Sequence, residues 1–412
     1  MVKKWKIKKH SHVTMAIGLL VYIGNVFCFT PSLVQHPVTE NDSLARGFVG
    51  AETCRSCHNA LFDSVAHTAH YFSSRPGSAQ SIKGSFTTGK NEFKLNALME
   101  VIMERKGESF LQTGYISGQE LQSEPMDIAI GSGRKGQTYL YWKNNELFQL
   151  PVSYYTPLNS WCNSPGFPSG FIKFYRQITG QCMECHTTYS EIESDNGQQT
   201  TFDRKEILYG ISCERCHGPG AEHVAYHKSH PDDDKGKFII NAGRMNRQQQ
   251  LDACAFCHSG FRNLLKPVFT FSVGDNLNEY SSARYNPDSS LQLDVHGNQY
   301  GLLGASKCFK MSEMNCSSCH NVHNNEYNIP KIFSQRCMNC HRNNSGNECK
   351  FSPPAGIILS DNCIDCHMPS LPSGKIQLEI SAAKSMVPDY VRTHKIAIYP
   401  ESTKEFIKSR KK

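Results

Sequence analysis

Two thiols three positions apart, with an imidazole directly after the second, can bond to the two vinyl groups of one porphyrin and set a nitrogen under its metal. The 412-residue chain carries this pattern, Cys-x-x-Cys-His, seven times. The copies are Cys54, Cys57 and His58; Cys182, Cys185 and His186; Cys213, Cys216 and His217; and Cys254, Cys257 and His258. Then follow Cys316, Cys319 and His320; Cys337, Cys340 and His341; and Cys363, Cys366 and His367. Chance would supply about 0.03 copies at this content of Cys and His. The pattern is the attachment signature of c-type haem, with the His as proximal ligand of the iron. Structural zinc needs two converging pairs and no following His. A disulfide framework sets no such spacing, and a thioredoxin-like redox motif occurs once, in a βαβ setting.

The motifs, numbered 1 to 7 in chain order, therefore predict a cytochrome with seven covalently attached haem c groups. An iron with one imidazole either takes a second strong ligand and carries electrons, or keeps an open position for a substrate. His10 and His12 belong to the N-terminal leader, which leaves His36, His67, His70, His223, His227, His230, His296, His323 and His394 as candidates. His323 follows His320 by three residues, on the same side of a helical turn. It cannot reach round its own porphyrin and should serve a neighbouring one. His223 follows motif 3 across Gly218-Pro219-Gly220, a tight turn. His67 and His70 lie one turn apart, so at most one is a ligand. His36, His227 and His230 read as surface residues.

Elements that could position these groups follow from composition. Hydrophobic residues make up 39% of the chain, below the usual globular share, and porphyrins would supply the missing apolar surface. The expected fold is mainly α with little regular secondary structure: short helices carrying motifs, irregular loops, and a haem-packed core. One stretch departs from this. Alternating β-branched and aromatic residues predict strands over 91–95, 98–105, 109–116, 137–142 and 147–154. They would form a small β-sheet inserted between motif 1 and the other six. The Gly-rich run 131–136 lacks phosphate-loop spacing and reads as a turn. The expected division is a leader over 1–30, a first haem segment over 47–82, a β-rich insertion over 83–158, a six-haem core over 159–400 and a basic tail over 401–412.

Five Lys and no acid precede an apolar run over 13–29, the pattern of a secretory signal. An uncleaved membrane tether through 13–29 is the alternative. Either places the protein outside the cytoplasm, in the periplasm. Four Cys lie outside the motifs: Cys28 belongs to the leader, Cys308 and Cys349 form a candidate disulfide, and Cys162 reads as a small buried residue. The formal charge is +7. Loss of the leader lysines leaves roughly +2, and two propionates per haem bring the oxidised protein to roughly −5. The basic balance is therefore no sign of nucleic-acid binding.

GISCERCHGPGAEHV, CSSCHNVH, CIDCHMP and RTHKIAIYP resemble multihaem cytochromes of the cytochrome c-554 type, which are related to hydroxylamine oxidoreductase and pentahaem nitrite reductase. The resemblance covers most of residues 47–400 and is weakest in the β-like stretch. It implies closely stacked, mostly bis-His haems, with His70, His223, His296, His323 and His394 as distal ligands. It implies redox partners: a quinol-oxidising membrane protein, other cytochromes or a terminal reductase. No Cys-x-x-Cys-Lys of the nitrite reductases occurs, and no Tyr can be nominated for the haem cross-link of the hydroxylamine oxidoreductases. The leading expectation is an exported electron carrier of a respiratory pathway with no catalytic residue. The alternative is an oxidoreductase acting on a small nitrogen or sulfur compound at an open haem, with Arg134, Lys135 and Arg176 as the nearest hints of an anion site. A third is a docking subunit that meets a partner through the β insertion.

Overall fold

The computed structural model describes residues 47–410 apart from 168–169, 285–292, 343–345, 347, 353, 355 and 381–385. The leader, Cys28 and His36 lie outside these. All described residues belong to one compact unit, His36–Lys412.

Strands dominate its first half. A four-stranded antiparallel sheet joins β2 (Glu92–Lys94), β3 (Met99–Lys106), β4 (Ser109–Ile116) and β5 (Gln119–Pro125) in chain order. A nine-stranded sheet has the backbone order β1 (Ser74–Pro76), β6 (Ile128–Ile130), β7 (Gly136–Lys143), β8 (Glu146–Gln149), β13 (Thr200–Tyr209), β12 (Thr187–Asp195). Alongside it pair β9 (Val152–Tyr155), β10 (Ser160–Asn163) and β11 (Arg176–Gln177). Two further hairpins join β14 (Arg262–Leu264) to β15 (Ser281–Ala283) and β16 (Ser370–Leu378) to β17 (Val387–Arg392).

Side chains alternate across a strand, and the large sheet uses both faces. From β7, Tyr139 and Tyr141 enter one core with Phe93, Val101, Met103 and Phe110 of the smaller sheet. Leu140, from the same strand, enters a second core with Leu147, Phe202, Phe269 and Met183. Met183 lies between the two Cys of motif 2, and Cys182 packs against the same cluster. The large sheet is thus a middle layer, with the small sheet on one face and motif 2 on the other.

The helices are short: α1 (Ala51–Arg55), α2 (Asn59–Val65), α3 (Gly180–Glu184), α4 (Cys213–His217), α5 (Ala221–Ser229) and α6 (Arg247–His258). Then come α7 (Gln299–Gly304), α8 (Lys307–Lys310), α9 (Pro330–Cys337), α10 (Cys363–His367) and α11 (Pro400–Arg410). Segments of five residues cannot hold a helix in water, so tertiary contacts hold α1, α3, α4 and α10. The longest, α6, starts on a capping box: the Asn246 side chain accepts from the Gln249 amide at 3.0 Å, and Gln249 accepts from the Asn246 amide at 3.1 Å.

The mainly-α expectation is therefore corrected. The described residues are 28% strand and 27% helix. The strands expected before motif 2 are present, as β2, β3, β4, β7, β8 and β9. They do not form a small insertion, because β12 and β13, which follow motif 2, complete the large sheet. Those two strands gave little apolar signal. Thr187, Thr188 and Ser190 are buried polar residues whose hydroxyls are hydrogen-bonded, and the pairing is broken by register shifts.

If the middle layer supports motif 2, Leu147→Ala should cost about 2–5 kcal/mol, the range for a buried Leu truncation. Leu121→Ala, on an exposed strand position, should stay within about 0.5 kcal/mol. Denaturant midpoints of the purified holoprotein check both.

Candidate functional site

Each motif is one helical turn. The His58 amide bonds to the Cys54 carbonyl at 2.9 Å, His320 to Cys316 at 2.9 Å, and His341 to Cys337 at 3.0 Å. Positions i, i+3 and i+4 share a helix face, so both thiols and the imidazole of a motif point the same way. That is the physical reason for the spacing.

Four motif imidazoles face an imidazole from elsewhere in the chain. His58 stacks opposite His223 with ring centres 6.3 Å apart and planes 17° apart. His217 faces His323 at 6.1 Å and 16°. His320 faces His394 at 6.1 Å and 25°. His258 meets His70 at 6.1 Å, with planes at 64°. A metal held by two imidazole nitrogens at about 2 Å each sets ring centres roughly 6 Å apart. The donor set and its spacing therefore fit an iron with two axial histidines.

The tautomers are fixed from behind. His217 Nδ1 lies 2.8 Å from the Ile240 carbonyl, His223 Nδ1 2.8 Å from that of Lys237, and His367 Nδ1 2.9 Å from that of Ala397. A proton on Nδ1 leaves the Nε2 lone pair for a metal. Partial burial pushes His394 down to about 4, which favours its neutral form.

The remaining histidines fall elsewhere. The His296 amide donates to Asp294 at 2.9 Å, and its ring feels the charges of Asp389, Asp294 and Lys135. Among the described residues no motif imidazole stacks on His296, and no second imidazole stacks on His186 or His367. His227 packs edge-on to His223 with centres 4.6 Å apart, and His230 stacks on Tyr226. The His67 carbonyl accepts from Arg134 Nη2 at 2.5 Å. The suggested anion-site residues have structural partners: Arg134 lies over Tyr327, Lys135 pairs with Asp389 at 2.7 Å, and Arg176 donates to the Pro165 carbonyl. Cys308 and Cys349 are both free. Cys308 acts electrostatically with Cys340, and Cys349 with Cys366, so the candidate disulfide is absent. Cys162 is 1% exposed in a small core with Tyr155, Leu378 and Ile380.

Contacts between the motifs give their spatial order. Cysteine side chains of different motifs lie against one another at Cys54 and Cys213, Cys185 and Cys257, Cys254 and Cys316, and Cys337 and Cys363. Cys216 acts electrostatically with Cys254 and Cys257, and Cys319 with Cys340. Motifs 1, 3, 4, 5, 6 and 7 thus form a line, and motif 2 joins it at motif 4.

Polar side chains fasten this line, and sequence reading missed them because the motif leaves its two middle residues, such as Glu214, and its flanks unconstrained. Glu214, inside motif 3 and 3% exposed, accepts from the amides of Val49 and Gly50 at 2.8 Å each and of Gly220 at 2.9 Å. It thereby holds the start of α1 against α4. The turn that follows α4 needs the positive φ of 75° at Gly218, a conformation that favours glycine. Arg336, beside motif 6, donates to the carbonyl of Cys319 in motif 5 at 2.6 Å and pairs with Glu326. Arg392 donates to the carbonyls of Ile364 and Met368 around motif 7 at 2.6 and 2.9 Å. The same strand end delivers His394 to His320.

Among known proteins, residues 172–218, which contain motifs 2 and 3, match the family described as cytochrome c554 and c-prime. A multihaem cytochrome, MtrA, of Shewanella baltica is 24% identical over 190 residues, 40% of this chain and 53% of the relative. A dissimilatory sulfite reductase, MccA, of Wolinella succinogenes is 19% identical over 83% of this chain and 54% of its own. The chain thus spans about half the length of the curated relatives it matches. The crystal structure of the outer cell wall cytochrome OcwA superposes with a TM-score of 0.50 at 15% identity, covering 87% of this chain and 81% of that one. That likeness concerns the fold.

Glu214→Ala would leave three amides without their acceptor. A loss of about 3 kcal/mol is expected, against no measurable change for the exposed Glu222→Ala. Thermal unfolding of the two variants checks this.

Proposed function

We propose that the chain, which is a multihaem c-type cytochrome, holds seven haem c groups and carries electrons between redox partners outside the cytoplasm, in a respiratory pathway. Bound haem c supplies a one-electron ferric–ferrous couple whose potential is set by its axial ligands, burial and nearby charge. The rest is the work of the chain. The 14 motif cysteines anchor the porphyrins, and His58, His186, His217, His258, His320, His341 and His367 stand as proximal ligands. His223, His323, His70 and His394 would supply the second imidazole to the irons at motifs 1, 3, 4 and 5. The observation that carries this reading is the facing of those four imidazole pairs at 6.1–6.3 Å. Two strong ligands exclude substrate from the iron and limit rearrangement on reduction, which suits transfer rather than catalysis. The thiol contacts support a route along motifs 1, 3, 4, 5, 6 and 7. Among the described residues no motif imidazole stacks on His296, and no second imidazole stacks on His186 of motif 2 or His367 of motif 7.

Export through a signal or tether in residues 1–30 accompanies this reading, because the haem is attached outside the cytoplasm. Among the described residues no helix is long and apolar enough to cross a membrane. The partners are a quinol-oxidising membrane protein, other cytochromes or a terminal reductase.

A second reading is favoured by His186. Its carbonyl is held by Ser73 Oγ at 2.8 Å and Ser74 Oγ at 2.7 Å, its side chain is exposed, and no described imidazole stacks on it. Motif 2 would then carry an open site for a small nitrogen or sulfur compound. The similarity to a sulfite reductase supports this.

Haem quantified as pyridine haemochrome should give seven per chain, and low-temperature EPR of the oxidised protein should be mainly low-spin. His323→Ala should convert one haem to high-spin, whereas His230→Ala should change nothing. A count short of seven, or an unchanged spectrum for His323→Ala, would overturn the assignment. A wild-type high-spin signal perturbed by sulfite, nitrite or hydroxylamine would put the second reading first.

A further inference from the structure

The guanidinium of Arg215 lies where motifs 2, 3 and 4 meet. Its residue belongs to motif 3, between Cys213 and Cys216. It sits over the ring of Phe256, inside motif 4, at 4.6 Å, and reaches Phe269 at 5.9 Å. Its charge acts on Cys185, Cys216 and Cys257, the second cysteine of each of the three motifs. Glu184 of motif 2 attracts it through space without a salt bridge, and the Glu184 carboxylate accepts instead from the Phe269 amide. Arg215 Nη2 is buried with no hydrogen-bond partner. Arg stays protonated in proteins, and a buried charge is ordinarily paired. Here two aromatic faces take the place of a counter-ion, at the point where three motifs converge.

We infer that Arg215 is a potential-setting residue: its charge, held without a salt bridge among the described residues, keeps the haems at motifs 2, 3 and 4 at higher potential than they would otherwise have. Reduction adds one electron to an iron and removes one unit of positive charge, with no proton taken up by Arg215. A fixed cation nearby stabilises the reduced form, and low dielectric strengthens the effect. The consequence is directional. Electrons would collect at the branch where motif 2 joins the line, rather than spread evenly along it. The inference rests on haem attachment at these motifs, as proposed above, and adds the charge that biases them.

The test is a spectropotentiometric titration of holoprotein, with haem counted on the same samples. Arg215→Met should lower the highest-potential part of the curve. At a fixed potential the ferric-to-ferrous ratio of those haems should rise at least tenfold, about 59 mV for a one-electron couple. Arg204→Met removes an equal charge from an exposed residue stacked on Trp142 and should leave the curve in place. Arg215→Lys keeps the charge and should titrate like wild type. A full haem count with an unmoved curve for Arg215→Met overturns the inference. So does an equal shift for Arg215→Lys, which is also the deciding variant if Arg215→Met does not fold. Wild-type protein that lacks haem at motifs 2, 3 or 4 overturns the underlying reading instead.

Discussion

Two imidazoles that face each other 6 Å apart cannot both come from one turn of helix. A Cys-x-x-Cys-His turn spends its whole face on two thiols and one ring, and every facing ring must arrive from another part of the chain. This constraint governs the tertiary structure. The segment after motif 3 supplies the ring opposite His58, the segment after motif 5 the ring opposite His217, and the segment after motif 7 the ring opposite His320. The segment after motif 1 reaches His258. Motifs 1, 3, 4, 5 and 7 are thereby tied together across the sequence, and helices too short to persist alone are held by what they meet.

The β-layers answer a second demand, which is rigidity. Facing rings and touching motifs keep their geometry only if the backbone behind them does not move. Motif 2 rests directly on the large sheet through Met183 and Cys182, and the small sheet closes the other face with a dense aromatic core. On the other side, the residues between motif cysteines act as fasteners. Glu214 joins motif 3 to the start of α1, and Glu184, Arg215 and Phe256 interlock motifs 2, 3 and 4. The same positions that fix geometry place charge beside the cofactor, so mechanical and electrostatic roles are not separable there.

Spatial order departs from chain order at one place. Motif 1 meets motif 3, and motif 2 meets motif 4. Motif 2 is therefore a branch, not a step. It is also the motif carried by the sheet, and among the described residues no second imidazole stacks on its His186.

The sequence by itself determined what is local and covalent: seven thiol-thiol-imidazole turns, and most strands before motif 2, where apolar residues alternate. Spacing also marked His223 and His323, and the family resemblance His70 and His394; all four meet a motif ring. Tertiary structure decided the rest. The low hydrophobic content was read as a fold with few strands, yet β12 hides its burial in hydrogen-bonded Thr and Ser side chains. His296 resembles the others in sequence but lies beside Asp294 and Asp389. Cys308 and Cys349 flank motifs 5 and 6 and still turn to different neighbours. The physical reason is the same in each case. Spacing along the chain fixes which groups share a turn, whereas which turns come together depends on packing and polar fastening between segments, and one chain's spacing does not encode that.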